Sequence, residues 1–248
     1  MVSMGNRFDT ATLSADDVRA GEVLRLRREI GRMQRRRSEH PVLPLDPALS
    51  SLLPDEGLLT GAAYIVSPSP SLVLALLGAA SRRGHWCAVI GMPTLGIEAA
   101  AAFGVDLERL ILVPAPGERW LAVTSALAEV VPLIAVSPGS PPRSADLSRL
   151  SARLRDRGAT LLVAGADRGS WPESQGSIRL SDPHWHGLGE GWGLLSDCTA
   201  TVTAQTRTSP RPSSVRVRLP GRQGAVESVE TAAVTELPVR SDPLAVAG

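Results

Sequence analysis

The chain has 248 residues, 43% hydrophobic and 21% charged, with a formal net charge of +1, two cysteines and no lysine. That length and apolar content suffice to bury a core of α/β proportions, while two distant cysteines, Cys87 and Cys198, make neither a disulfide framework nor a metal site and point to a reducing cytosol. No apolar run approaches the length of a bilayer span and residues 1–12 lack the apolar core of a signal peptide, so a soluble cytoplasmic protein without membrane contact is expected.

In chain order, LSADDV (13–18) reads as a helix start: Ser14 caps, Asp17 answers it, and Leu13 staples to Val18. Val23, Leu26, Ile30 and Met33 then recur at three- and four-residue spacing, a narrow apolar stripe on an otherwise arginine-covered helix. The stripe either packs on its own domain or docks a partner, and the arginines are either solvated or contact phosphate. Arginine in place of every lysine fits coding bias as readily as function. Residues 1–40 thus form an N-terminal helical extension, and the proline-bounded 40–47 reads as a linker into a core over 41–220.

Short apolar runs at 63–66, 86–90, 110–113, 133–136 and 160–163 have the length of buried strands. Helical patterns at 71–81, 97–103, 118–130 and 145–157 separate them, the last closed by Gly158. Continuous apolar strands alternating with helices predict a mostly parallel twisted α/β sheet with helices on both faces.

Residues 166–192 break the pattern with Gly, Ser, Pro and His and the tryptophans Trp171, Trp185 and Trp192, a segment longer than a simple connector. CTATVTAQ (198–205) and SVRVRL (214–219) alternate with period two and predict an antiparallel edge pair. Beyond Gly221 the sequence is polar and punctuated by proline, which predicts a flexible C-terminal tail over 221–248.

Several stretches, in order over roughly residues 45–220, resemble the bacterial RecA recombinase core: FGVDLERLILV (103–113), PGERWL (116–121), Ala126-Leu127 and ATLLV (159–163). The RecA phosphate loop has the form G-x-x-x-x-G-K-[ST], in which backbone amides cradle phosphate, the lysine neutralises it and the hydroxyl holds magnesium. Here the corresponding turn is Ser67, Pro68, Ser69, Pro70 and Ser71, with two prolines lacking amide donors and Leu72 near the lysine position. The catalytic glutamate position falls at Met92, the metal-associated aspartate at Ser137 and the nucleotide-sensing glutamine near Asp167. The resemblance therefore implies a RecA-like fold without RecA-type ATP hydrolysis and without a cofactor.

Among degenerate RecA-like families, the front helix, the alanine-rich EAAAAFGVD (98–106) and the lysine-free composition resemble the actinobacterial ImuA form. That resemblance implies a non-catalytic adaptor of DNA-damage-induced mutagenesis and translesion synthesis, docking an ImuB-like protein and an error-prone DnaE-type polymerase. The alternatives are a SulA-like inhibitor of the division protein FtsZ and a RecA-like single-stranded DNA-binding protein. Arg168, Trp171, Arg179, Trp185 and Trp192 occupy the place of the second DNA-binding loop of RecA. They are candidates for base stacking, for a partner anchor, or for pinning a loop to the core. His184 and His186, near Asp182, lack a third ligand and read as a polar loop. Ser67, Ser69 and Ser71 have no partnered His and Asp for nucleophilic catalysis.

Overall fold

The computed structural model describes residues 41–188, 192–221 and 226–229. The expected front helix with Val23, Leu26, Ile30 and Met33 lies outside the described residues.

The described chain builds one large sheet of order β11-β10-β9-β8-β3-β7-β6-β4-β5 and a small one of β1 (Val42–Pro44) against β2 (Gly57–Leu59). The strands β3 (Ala63–Val66), β4 (Cys87–Ile90), β5 (Leu110–Val113), β6 (Leu133–Val136), β7 (Thr160–Ala164) and the start of β8 (Gly176–Leu188) run parallel. β9 (Gly193–Thr206), β10 (Ser213–Arg218) and β11 (Glu227–Ser228) continue the sheet antiparallel. This is the expected α/β sheet with its antiparallel edge pair, and it is consistent with a RecA-like arrangement.

Every residue of β3, β4, β6 and β7 is buried, because helices cover both faces. On one face, α2 (Pro70–Arg82) and α3 (Ile97–Ala102) pack on Tyr64, Val66, Val89, Leu133 and Leu162. On the other, α4 (Trp120–Leu127) and α5 (Ser144–Arg157) pack on Ile65, Ile90, Ile134 and Val163. The alternation of side chains along each strand divides them between these two cores. The helices fall where the spacing places them, with Gly158 capping α5 at φ 67°.

The proline-bounded stretch is not a linker. Leu43, Leu45, Leu49, Leu52, Leu53 and Leu58, on β1, the single turn α1 (Pro47–Ser50), β2 and the connections between them, are buried in the same core as α2. They cover the side of α2 that the sheet does not, so Leu72 to Ser81 are buried without interruption. Two bonds tie this layer to the sheet: Leu59 N–H donates to the Tyr64 hydroxyl (3.1 Å), and the Thr160 hydroxyl donates to Leu59 C=O (3.0 Å). The Arg82 guanidinium binds both Asp46 (2.9 Å) and Phe103 C=O (3.0 Å), linking α1, α2 and the end of α3. The chain also returns to the sheet beyond Gly221, where Glu227 and Ser228 pair with Arg218 and Val217.

Gly78 lies in the middle of α2, where alanine would ordinarily favour the helix by about 1 kcal/mol. A Cβ there would stand 2.2 Å from Phe103 O, a backbone atom with no freedom to withdraw. Gly78→Ala should therefore lower the urea midpoint rather than raise it. Burial also pushes the Tyr64 phenol and the Cys87 thiol up to about 12, from ordinary values of 10.0 and 9.0. Both are acids whose folded values are raised. Their contribution is complete below pH 9 and is lost between pH 9 and 12, by about 1.4 kcal/mol per pH unit for each group ionised only in the unfolded chain. Urea unfolding from pH 8 to 11 should show this decline, and Tyr64→Phe should flatten the part above pH 10.

Candidate functional site

In a doubly wound sheet, ligands bind in the crevice at the carboxyl ends of the strands. The structure brings the turn at 67–71, which the RecA resemblance sets at the phosphate loop, together with Met92 and Ser137 there, around a cavity of about 160 Å³ lined by Pro68, Ser69, Pro70, residues 91–94, Ser137 and Ala164. A neighbouring cavity of about 260 Å³ is lined by residues 137–142 and 164–166, Ser170 and Trp171. Each is below the roughly 300–1,000 Å³ usual for ligand pockets. Among the described residues, neither lining contains an ionisable side chain, so these two cavities present no carboxylate to magnesium and no cation to phosphate.

The turn's own polar groups are engaged within the protein. Ser69 caps α2, its hydroxyl accepting from Leu72 N–H at 3.3 Å, and Pro70 opens the helix with no N–H to satisfy. Ser69 N–H donates to Ser67 C=O (2.7 Å), and Val73 N–H to Ser69 C=O (3.0 Å). Ser67 reaches across to β8: its N–H donates to Ile178 C=O (3.1 Å) and its hydroxyl accepts from Leu180 N–H (3.0 Å). Of residues 67–71, only Ser71 carries an N–H outside these bonds. Leu72, at the lysine position, is fully buried in the core.

Asp167 is apart from this cavity. Its carboxylate accepts from Ser170 N–H at 2.6 Å, which holds it below the usual aspartate range. The bond closes a local turn whose carbonyl, Asp167 C=O, also receives Trp171 N–H.

The tryptophan segment separates into two parts. Residues 166–175 are a connector pinned by Trp171, which is buried against the α4 and α5 core. From Gly176 the chain is a strand and not the expected polar loop: β8 pairs with β9 from Gly176↔Thr206 to Leu188↔Gly193. His184 and His186 lie on this strand, rings edge to face at 4.9 Å, with His186 Nε2 3.1 Å from the Thr199 hydroxyl. Composition concealed the strand, because its outer half is exposed on both faces and two register shifts, at 181–184 and 186–188, break the period of two.

β3 ends against Ile178 and β10 ends against Thr199. From His184 to Leu188 and from Gly193 to Asp197, β8 and β9 therefore run on as a two-stranded ribbon at the same end of the sheet as the crevice. Trp185 and Trp192 are exposed on it. Arg168 binds the Gln205 side chain (3.3 Å), and Arg179 pairs across from Thr203, both at the root of the ribbon. The base is clamped by Arg218, which forms ion pairs with buried Asp197 (2.5 Å) and with Glu227 (3.2 Å). Sequence reasoning did not single out Arg218 or Asp197. Burial is their signal, and it belongs to the folded sheet.

This geometry predicts that Mg-ATP at about 1 mM leaves the melting temperature unchanged, because a ligand stabilises only the state that binds it. Leu72→Lys should not restore binding. It would place an ammonium in the α2 core and destabilise the protein by several kcal/mol, on the order of the cost of an unpaired buried charge. Calorimetry with and without nucleotide checks both.

Among the described residues, no helix is long and apolar enough to cross a membrane. Residues 51–173 match the family profile described as MT3502 N-terminal domain. That span holds the degenerate turn, Met92, Ser137 and Asp167. The chain is also 27% identical over 168 residues to Rv3395c of Mycobacterium tuberculosis, described as an uncharacterized protein, an alignment that covers 65% of this chain and 74% of that one.

Proposed function

We propose that the chain is a non-catalytic, cytoplasmic RecA-like accessory protein of DNA-damage-induced mutagenesis, of the ImuA kind, which docks an ImuB-like protein and an error-prone DnaE-type polymerase for translesion synthesis. The observation that supports this reading best is the double engagement of Ser67 by β8. The turn that would receive a phosphate instead anchors the ribbon, and the crevice beside it carries no charged group. A fold kept while its site chemistry changes is the expected history of an adaptor. The single-stranded DNA reading draws less support, since Arg168 is held by Gln205 and the outer ribbon has no arginine.

Affinity purification of the tagged protein from DNA-damaged host cells tests the proposal. The expected result is co-recovery of an ImuB-like protein and an error-prone polymerase, with loss of both from a Leu26→Asp, Ile30→Asp variant whose melting temperature is unchanged. Recovery of FtsZ, or of DNA alone, would overturn it.

A further inference from the structure

His184 and His186 are brought together by the fold and play no part in the adaptor reading. They stand two apart in sequence, a spacing that means little in a loop but puts both side chains on one face of a strand. The ladder is regular here, with His184↔Thr199, Trp185↔Cys198 and His186↔Asp197, so the pair shares its face with Thr199 and Asp197 while Trp185 takes the other. Register shifts bracket this short stretch at 181–184 and 186–188, where Asp182 (φ 50°) and Gly187 (φ 101°) take left-handed backbone. A Cβ at Gly187 would meet Leu194 O at 2.1 Å, so the strands cross closely beside His186 and hold its backbone in place.

The ring separation is that of two ligands on one ion. The imidazole centroids are 4.9 Å apart with their planes at 70°. With a metal–nitrogen bond of about 2.0–2.1 Å and a nitrogen about 1.1 Å from its ring centre, two imidazoles at about 90–109° on one ion have centroids about 4.5–5.2 Å apart. The observed distance falls inside that range.

Hydrogen bonding selects the free nitrogen of His186. The Thr199 hydroxyl donates to His184 C=O (3.5 Å) and lies 3.1 Å from His186 Nε2. With its proton so directed, Thr199 Oγ1 accepts from Nε2–H, which leaves the lone pair on Nδ1. Metal-bound imidazoles are ordinarily oriented by such a bond from the second nitrogen. Among the described residues, neither His186 Nδ1 nor either ring nitrogen of His184 has a hydrogen-bond partner.

The surrounding charge suits a cation. Arg218, across from Thr199, is met by two carboxylates, Asp197 and Glu227. Asp197 is thereby engaged although it stands directly across from His186, and among the described residues no three His, Cys, Asp or Glu side chains are placed to hold a metal. The pair therefore supplies two ligands and leaves the other positions open. Imidazole suits zinc, nickel and copper, whereas magnesium and calcium take oxygen ligands.

We propose that His184 and His186 form an open two-histidine site for a divalent cation of the zinc, nickel or copper class, with His186 ligating through Nδ1. The site is independent of the adaptor reading and stands or falls separately from it.

Isothermal titration of Zn2+ into the untagged full-length protein tests it, with Mg2+ as the comparison ion. One Zn2+ should bind with a Kd on the order of 1–100 µM, as befits half of a four-ligand site, and Mg2+ at about 1 mM should not compete. The imidazole 15N signals of His184 and His186 should shift, the latter at Nδ1, and those of His40 and His85 should not. His184→Gln and His186→Gln should each weaken binding at least about tenfold with the metal-free melting temperature kept, and Thr199→Val, which retains the β-branched shape, should weaken it about tenfold. No Zn2+ binding at about 1 mM, undiminished binding by a folded Gln variant, shifts confined to His40 or His85, or equal competition by Mg2+ would each overturn the site. Undiminished affinity in Thr199→Val, or a His186 shift at Nε2, would overturn the assignment of Nδ1. If neither Gln variant folds, the imidazole shifts of the unaltered protein decide.

Discussion

The structure depends on the burial of α2 on all sides. A helix with Leu72, Val73, Leu74, Leu76 and Leu77 buried around its circumference cannot face water on any side, and it is sandwiched between the sheet and the layer of β1, α1 and β2. Each such side chain contributes on the order of 1.5–3 kcal/mol on burial, so the group outweighs any single polar contact at the helix end. The position of α2 is therefore set by its leucines, and the turn that feeds it must conform. The first residues of a helix carry N–H groups with no partner inside it, which is why anions gather there. Here proline removes one donor and the Ser69 hydroxyl accepts another. Of the donors in the first turn, the Ser71 N–H is the one left outside these bonds.

The same turn organises the far side of the sheet. Ser67 extends the β3–β8 pairing through its backbone and its hydroxyl, past the point where the backbone ladder stops. β8 is thereby held in line as it leaves the sheet. At the other flank, Arg218 gathers Asp197 and Glu227 and so joins β9, β10 and β11. Removing one member of a buried ion pair leaves a charge without compensation, so this clamp fixes the ribbon's base more firmly than an exposed pair would. The two anchors lie on opposite sides of the ribbon, one at β8 and one at β9. What lies beyond them is exposed and apolar.

The crevice and the ribbon differ in chemistry. The cavities at the carboxyl ends of the strands are small and uncharged, whereas the ribbon beside them presents two tryptophans and three leucines to solvent. In the proposed adaptor the fold provides a rigid platform, and recognition rests on side chains that the platform holds outward.

Much of this was determined by the sequence alone. The parallel strands are legible because burial on both faces demands unbroken apolar runs, and the helices because their apolar residues recur at three and four. The character of the turn at 67–71 is legible residue by residue, since the lack of amide donors at Pro68 and Pro70 needs no coordinates. Tertiary structure decided what local pattern leaves open. The proline-bounded 40–47 looks like a linker because its two leucines follow no sustained period, and only packing against α2 reveals Leu43 and Leu45 as core. β8 is hidden because a ribbon solvated on both faces has no reason to alternate. Trp171 and Trp185 stand in similar surroundings of Gly, Ser and Pro, yet one is buried and the other exposed. Burial is set by which distant elements arrive against a residue, and a one-dimensional pattern records only the near ones.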